Sequence, residues 1–129
     1  MITEIIAESL EMLSGADFDL YDKVYEEFFC KNPKAEELMA HMDELTRGRM
    51  MSEVTRLFLV DDLEAESAYI KFEYANHKNG YNVASNMYRE LFDSFLIAAK
   101  EIAGESWRLE FDYVWRYRAD ELERAFNSD

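Results

Sequence analysis

Apolar residues recur every three or four positions along most of this chain, and that spacing constrains its fold more than any other feature. One stretch carries a full helical face at i, i+3, i+4, i+7 and i+8: Tyr21, Val24, Tyr25, Phe28 and Phe29. Similar faces run through five further stretches: residues 3–14, 44–60, 63–77, 85–103 and the segment after 106. Because no segment alternates apolar and polar residues for long enough to indicate a strand, we expect an all-α fold of about seven helices.

Residues that begin or end helices separate the first three of these elements. Gly15 follows the first helix where a C-cap glycine belongs, and Asp17 or Asp19 can cap the second. Asn32-Pro33 ends the second helix and opens a short third one in "KAEELM", because proline is tolerated at the first helical position.

The later breaks are acidic or contain glycine. The aspartate pair at 61–62 interrupts the chain and suits the positive N-terminus of the helix that follows. "KNGYN", residues 78–82, is predicted to be a turn in which Gly80 takes a positive φ. Gly104 is predicted to stop the longest apolar stretch, and Ser106 to cap the last helix.

Composition limits where such a chain works. With 129 residues, 49% of them hydrophobic, it can bury a core as a single domain, residues 1–129. Because Cys30 is the single cysteine, no internal disulfide can form, which fits a reducing compartment. Cys30 is expected to be a small residue of the core. Because no signal-peptide pattern and no apolar run of about 18 residues appears, we expect a soluble, cytoplasmic protein.

The net charge is −14, from 28 acidic and 14 basic residues. That excess repels nucleic acid and anionic membranes, so neither is expected as a partner. It is compatible with plain solubility, because acidic residues occur in every segment, and also with an acidic helical protein that binds a basic partner.

Several familiar site chemistries are missing from the sequence. There is no Cys-x-x-Cys or His-Glu-x-x-His for zinc, and neither His41 nor His77 follows a glutamate by three positions as di-iron bundles require. "DFDLYD", residues 17–22, resembles the start of a calcium loop but lacks its glycine and its final glutamate. No Gly-x-Ser-x-Gly elbow exists, so hydrolase chemistry is not indicated.

Two stretches together resemble a globin, of the single-domain bacterial kind related to flavohaemoglobins. "LYDKVYEEFFCKNPKAEELM", residues 20–39, is similar to the family's second helix, its Asn/His-Pro break and the short helix after it. "HKNGYNVASNMYRELFDSFLIAAKEIAGESWRLEFDYVWRYRADEL", residues 77–122, is similar to the proximal histidine, a turn, a His-Tyr pair (here Met87-Tyr88) and the last two helices. The resemblance implies a globin-like fold that binds haem.

The resemblance puts His77 at the proximal position, where the family's histidine binds the haem iron. His77 shares a helical stripe with Ile70 and Tyr74, so a neutral imidazole here would point into an apolar pocket. The structural alternative is a histidine at a helix C-terminus, solvated or bonded to carbonyls and favoured there by the helix dipole. Tyr88 from the pair above, and Val54 and Phe58 from the fourth helical face, complete the expected surroundings of the cofactor.

Two positions depart from the family pattern. Met39 stands where globins stack a phenylalanine on the porphyrin; a thioether can pack there without offering a flat ring. The distal glutamine or histidine falls near Arg47 to Arg49. Either arginine could donate to a bound ligand or meet a haem propionate, or could lie in solvent beside Glu44 or Glu53.

Other notable residues have plainer readings. His41 is expected in a surface loop, and becomes a distal ligand only if that loop folds over the pocket. Trp107 and Trp115 are expected to be packing residues of the last helix. Tyr81 could form a hydrogen bond near the pocket. Exposed aromatic residues on the last two helices leave a homodimer open.

Two functions from different classes remain after these observations. The first is a haem protein that binds a diatomic gas or takes part in redox chemistry or sensing, with His77 on the iron. Any enzymatic turnover, such as nitric oxide dioxygenation, would need a separate electron donor, because the sequence carries no reductase domain. The second is a globin-fold sensor or protein-interaction module without haem, working through a signalling partner.

Overall fold

A computed structural model describes residues 2–14, 19–80 and 86–127, the side chains of 78–80 and 127 excepted. These residues form seven α-helices: α1 (Ile2–Leu13), α2 (Leu20–Lys31), α3 (Pro33–Met39), α4 (Glu44–Leu59), α5 (Ser67–Gly80), α6 (Asn86–Ala103) and α7 (Leu109–Asn127). Single 3-10 turns, Leu63–Glu66 and Gly104–Ser106, precede α5 and α7. The described ranges hold no strand, which confirms the all-α expectation.

Side chains cap these helices largely as the sequence predicted. The Asp19 carboxylate accepts the backbone N–H of Tyr21 at 2.9 Å and begins α2. Asn32 ends α2 and caps α3, accepting the N–H of Ala35 at 3.3 Å with Pro33 in the first turn. These contacts satisfy N–H groups that a helix start leaves without partners.

Some predicted boundaries need correction, and other predictions lie outside the described residues. Ser106 does not cap α7: α6 ends at Ala103, Gly104 at φ +56° begins a 3-10 turn that includes Ser106, and α7 starts at Leu109. The predicted turn is wrong at 78–80, which are still helical in α5. Its remainder, and the expected roles of Gly15, Asp17 and Tyr81, lie outside the described residues.

Two predicted core residues face solvent for a rotational reason. Cys30 is exposed, because two positions along α2 turn it about 200° away from the buried Phe28. Leu45, which the spacing placed on the apolar face of α4, is 66% exposed, since six positions separate it by about 240° from Met51. Met51 itself is fully buried.

An aromatic cluster forms the centre of the molecule. Phe58 of α4 contacts Trp115 of α7, with ring centroids 4.7 Å apart, and meets Phe92 of α6 edge-on at 5.9 Å. The indole N–H of Trp115 donates to the Ser9 hydroxyl at 2.9 Å, so α1 is joined to α7 by a buried hydrogen bond. Trp115 is thus the packing residue that was predicted, whereas Trp107 is only half-buried.

The helices pack in pairs around this cluster. α2 lies along α6, both α1 and α6 pack on α7, and α1 also contacts α4. α5 touches α7 and its own 3-10 turn, and Ile70 is its fully buried apolar residue. Within the described ranges no helix has the length and apolar character needed to cross a bilayer.

Candidate functional site

A cavity of about 600 Å³ lies between α4, α5 and α6, beneath α2 and α3. That volume is within the range of roughly 300–1,000 Å³ that is common for cofactor and small-molecule sites. Its walls and floor are mostly aliphatic, aromatic or thioether side chains: Phe28, Ala35, Leu38, Met39, Met42, Met50, Val54, Leu57, Met87, Leu91, Phe92 and Phe126.

Polar groups are grouped on the connection from α3 to α4 and on the facing sides of α4, α5 and the start of α6. They are His41, Asp43, Thr46, Arg49, Glu53, Tyr69, Glu73, Asn76, His77 and Tyr88. A largely apolar cleft with a few convergent polar groups is the usual form of a binding site.

Five of the residues predicted from the sequence meet in this cavity: His77, Met39, Val54, Arg49 and Tyr88. They come from α5, α3, α4 and α6, so the fold brings together positions as far as 49 residues apart in the chain. Met39 is 8% exposed, and its thioether side chain forms part of the cavity wall.

The other predicted residues lie around the cavity and do not line it. Ile70 and Phe58 are fully buried in the core. Tyr74 packs its ring on Tyr88, with centroids 6.0 Å apart, and so supports a residue that does line the cavity.

Arg47 points away from the cavity towards α2 and α3. Its Nη2 donates to the carbonyl of Met39 at 3.1 Å, and its guanidinium lies over the rings of Tyr25 and Phe29 at 5.5 and 5.4 Å. Tyr25 in turn donates its hydroxyl to the carbonyl of Arg47 at 2.9 Å. Arg47 therefore joins three helices, and Arg49 is the arginine at the cavity.

His77 is held between two neighbours. Its Nδ1 lies 2.8 Å from the Tyr88 hydroxyl, and its Nε2 lies 3.7 Å from Oε2 of Glu73, one turn earlier on α5. About a quarter of the imidazole side chain, 26%, remains exposed. The tyrosine fixes the plane of the ring from α6, and the glutamate lies on the side of the other nitrogen.

Burial sets the protonation of this pair. Desolvation lowers the pKa of His77, and the nearby Glu73 carboxylate raises it only in part. Burial also raises the pKa of the Tyr88 phenol well above its usual range. At neutral pH His77 is therefore an uncharged imidazole beside a protonated phenol, and the uncharged form is the one that binds metals.

Acidic residues close one side of the mouth of the cavity. Glu53 accepts from Nε of Arg56 at 3.1 Å, and Arg56 also binds Glu66 at 2.9 Å while lying over the ring of Tyr69. Burial and then a hydrogen bond to Glu53 raise the pKa of Tyr69 to about 12. This network joins α4 to the start of α5. Glu53 therefore pairs with Arg56, whereas the sequence had suggested Arg47 or Arg49 as the partner of Glu53.

Sequence reasoning missed Glu73, Glu53 and Tyr69 as lining residues. Glu73 could have been found, because its position four residues before His77 puts both on one face of α5. Glu53 and Tyr69 could not, because nothing local indicates that α4 and α5 meet there. His41 lies in the connection from α3 to α4, as predicted, and its exposed side chain lines the edge of the cavity.

Two imidazoles, His41 and His77, are possible metal donors in the cavity lining. Among the described residues no group of three or more His, Cys, Asp or Glu is arranged to hold a metal. A bare ion needs several protein ligands, whereas a porphyrin supplies four nitrogens and asks the protein for one axial ligand. His77, on the apolar wall, is placed where it could supply one such ligand.

Comparison with known proteins adds no family to this description. No protein-family model, no curated protein and no solved structure matches the chain.

Proposed function

We propose that this chain is a globin-like protein that binds haem in the cavity between α4, α5 and α6, with His77 as the axial ligand of the iron. The observation that carries the proposal is the location of His77: a neutral imidazole on the wall of an apolar cavity of about 600 Å³. The packing of α2 on α6, of α1 and α6 on α7, and of α1 on α4 supports the globin comparison, since globins use these pairings.

Three residues of the cavity besides His77 have definite parts in this proposal. In this proposal Nδ1–H of His77 donates to the Tyr88 hydroxyl oxygen, so that Nε2 carries no proton and is the nitrogen that would take the iron. Arg49, the guanidinium at the mouth, would pair with a haem propionate. Met39 would pack on the porphyrin face in place of an aromatic ring.

Haem, when bound, supplies an iron that can hold a diatomic gas such as O2, NO or CO and can change oxidation state. The protein's own contribution is to exclude water and to set the imidazole. A cytoplasmic protein of this kind would work as a gas carrier or sensor, and any catalytic turnover would draw electrons from a separate donor protein.

Titration with haemin, followed by reduction and carbon monoxide, tests the proposal. We expect a saturable change at one haem per chain, with a spectrum typical of histidine-ligated iron. His77→Ala should weaken binding by at least tenfold, whereas His41→Ala, a matched change at the mouth of the same cavity, should leave it within about twofold. A flat titration of the folded protein, or equal binding by both variants, would reject His77 as the ligand.

Arg49→Ala and Arg47→Ala separate the two arginines. Arg49→Ala should weaken haem binding severalfold through loss of a propionate partner, because Arg49 lines the cavity. Arg47→Ala should lower stability while leaving haem affinity unchanged, since Arg47 binds Met39 and the rings of α2. Weaker haem binding by Arg47→Ala and unchanged binding by Arg49→Ala would show that Arg49 does not contact the haem.

A second candidate, a globin-fold sensor or interaction module without haem, is favoured by one contact. The Glu73 carboxylate lies 3.7 Å from Nε2, the side on which an iron would sit, so haem must displace it. Met39 in place of a flat ring points the same way. Full-length, folded protein that leaves haemin unbound at every concentration would favour this candidate.

A further inference from the structure

The cavity is lined by more acidic than basic side chains. The charged residues of its lining are Asp43, Glu53, Glu73 and Arg49. With the histidines counted as neutral, three carboxylates and one guanidinium leave a net charge of −2. Haem brings two further carboxylates and does not balance this charge. The lining therefore has a preference for positive charge that the proposed function leaves unused.

Arg49 is offset by Asp43 on the connection from α3 to α4. The Asp43 carboxylate accepts the backbone N–H of Thr46 at 2.8 Å and so caps α4. Hydrogen bonds from Thr46, and then the positive charge of Arg49, hold the pKa of Asp43 below its ordinary value. Because Asp43 and Arg49 offset each other, the excess negative charge lies on the other acidic residues of the lining, Glu53 and Glu73.

The cations near Glu53 and Glu73 do not neutralise both carboxylates. Arg56 binds two carboxylates at once, Glu53 at 3.1 Å and Glu66 at 2.9 Å, so these three residues keep one negative charge. Within the described part of the chain, Glu73 forms no ion pair with a lysine or arginine. Its neighbour is Nε2 of His77 at 3.7 Å, an imidazole that is uncharged at neutral pH because desolvation lowers its pKa.

Aromatic rings lie next to these carboxylates. Tyr69 precedes Glu73 by one turn of α5, and both side chains line the cavity together with Glu53 of α4. We call Glu53, Tyr69 and Glu73 the acidic side of the cavity. Burial is the main cause that raises the pKa of Tyr69 to about 12, so its phenol carries no charge at neutral pH. Carboxylates and aromatic faces both attract an organic cation, and together they commonly bind ammonium groups.

Methionines form much of the apolar wall. Thioether side chains are unbranched and adapt to ligands of different shapes, so they favour a class of apolar molecules over a single compound. A volume of about 600 Å³ accommodates a drug-sized molecule. Four of the seven methionines of the chain line the cavity: Met39, Met42, Met50 and Met87.

We propose that this cavity also binds apolar molecules that carry an ammonium group, with the ammonium at the acidic side and the apolar body against the methionines. The inference does not rest on haem binding. Haem would present its propionates to Arg49, whereas the amine would approach Glu53 and Glu73. Both ligands would use the same apolar volume, so each should displace the other.

Three anthracene derivatives with the same flat ring test the role of charge. One carries an aminomethyl group, one a hydroxymethyl group and one a carboxylate. Fluorescence titration of the haem-free protein at about pH 7 should show the tightest binding for the amine and the weakest for the carboxylate. A partly exposed ion pair changes affinity by up to about fivefold, so attraction of one charge and repulsion of the other should separate them by about tenfold. Equal binding of all three, tightest binding of the carboxylate, or no binding of the amine overturns the proposal.

Glu73→Gln removes one charge of the acidic side and keeps the shape of the side chain. It should weaken binding of the amine by about threefold and leave binding of the alcohol within about twofold. Glu26→Gln is the matched control, because Glu26 is exposed on α2 and does not line the cavity. Equal weakening in both variants would mean that only the overall charge matters, and would refute the acidic side as the ammonium site.

His77→Ala separates this proposal from the proposed function. The haem proposal requires this variant to weaken haem binding, whereas the amine should bind it within about twofold of the parent, because an uncharged imidazole contributes no attraction for a cation. A protein that leaves haemin unbound and still prefers the amine would reject the haem proposal alone. Loss of amine binding in His77→Ala would contradict the assigned contacts.

Methionine methyl resonances locate the bound ligand. In a protein with ¹³C-labelled methionine methyl groups, the ring current of the bound anthracene amine should shift the signals of the four cavity methionines. Met12 is the internal control, because it lies on α1, is 38% exposed and does not line the cavity. A shift at Met12 with none at the cavity methionines would place the ligand elsewhere and refute the proposal.

Discussion

Arg118 offers the sharpest test of how the cavity wall is held in place. This residue of α7 is only 3% exposed, and its Nη1 donates to the carbonyls of Leu57 and Val60 at 2.8 and 2.9 Å. Those carbonyls belong to the C-terminal end of α4, where a helix leaves carbonyls without internal partners. Arg118 also donates from Nε to Glu121 at 3.1 Å. Since Leu57 lines the cavity, Arg118 fixes that wall to α7.

Arg118→Met keeps most of the apolar stem and removes the donors. Two hydrogen bonds from a charged group contribute about 1.5–3 kcal/mol each, and part of that is returned because the variant no longer buries a guanidinium. Glu121, whose side chain is 29% exposed, can be hydrated and adds little. We expect a loss of about 3 kcal/mol. With an unfolding entropy of about 0.27 kcal/mol/K for 129 residues, Tm should fall by about 11 °C.

Urea unfolding followed by circular dichroism, together with calorimetry, measures this loss. Arg116→Met is the matched control, because Arg116 lies two residues away on α7 with a side chain 58% exposed and paired with Asp112. An exposed pair contributes at most about 1 kcal/mol, so the control should melt within roughly 4 °C of the parent. Equal losses in the two variants would refute the view that Arg118 caps α4.

Two further predictions concern backbone conformation and pH. Gly104→Ala should lower the free energy of unfolding by about 1–2 kcal/mol, because φ is +56° there. Gly48→Ala, within α4, should raise it by up to about 1 kcal/mol. Neither new methyl group meets an atom within 4 Å, so unfolding midpoints that move in the same direction would contradict this reasoning. Asp112 is the pH test: burial alone would raise its pKa, but hydrogen bonds from Arg116, Trp107 and Lys100 outweigh burial and hold the pKa below its ordinary value of 3.8. The ionised Asp112 carboxylate stabilises the fold fully above pH 3.8, and this contribution disappears as pH falls through its lower pKa in the folded state. The difference in free energy of unfolding between the parent and Asp112→Asn should therefore stay constant from about pH 8 to 5 and close below about pH 4.

The helices were largely predictable because each carries its own signal. In α2 the apolar face and the capping Asp19 both lie within one short stretch, so neither depends on the rest of the chain. Failures occurred where local signals compete. Ser106 is a good cap by type, yet the 3-10 turn that begins at Gly104, with its positive φ, delays α7 by two residues.

The candidate site was predictable only where a single helix places its residues. His77 and Met39 were identified from position along the chain, and both line the cavity. The network of Glu53, Arg56 and Tyr69 was not, because it depends on how α4 and α5 approach each other. Charged residues carry no periodic signal, so the sequence does not show which carboxylate faces which helix.

The position of α5 explains why the cavity exists and why its occupant matters. Ile70 is the apolar residue of α5 that is fully buried, Tyr69 and Tyr74 pack against the core in part, and Phe72 points to solvent. The helix is also attached by its packing on α7, by the 3-10 turn that precedes it, and by the hydrogen bond between His77 and Tyr88. Tyr69, Glu73, Asn76 and His77 of the same helix line the cavity. If the proposed haem occupies the cavity, its binding free energy would stabilise α5 directly, since any ligand that prefers the folded state adds to stability. The thermal stability of α5 would therefore be a second measure of ligand binding, independent of the absorption spectrum.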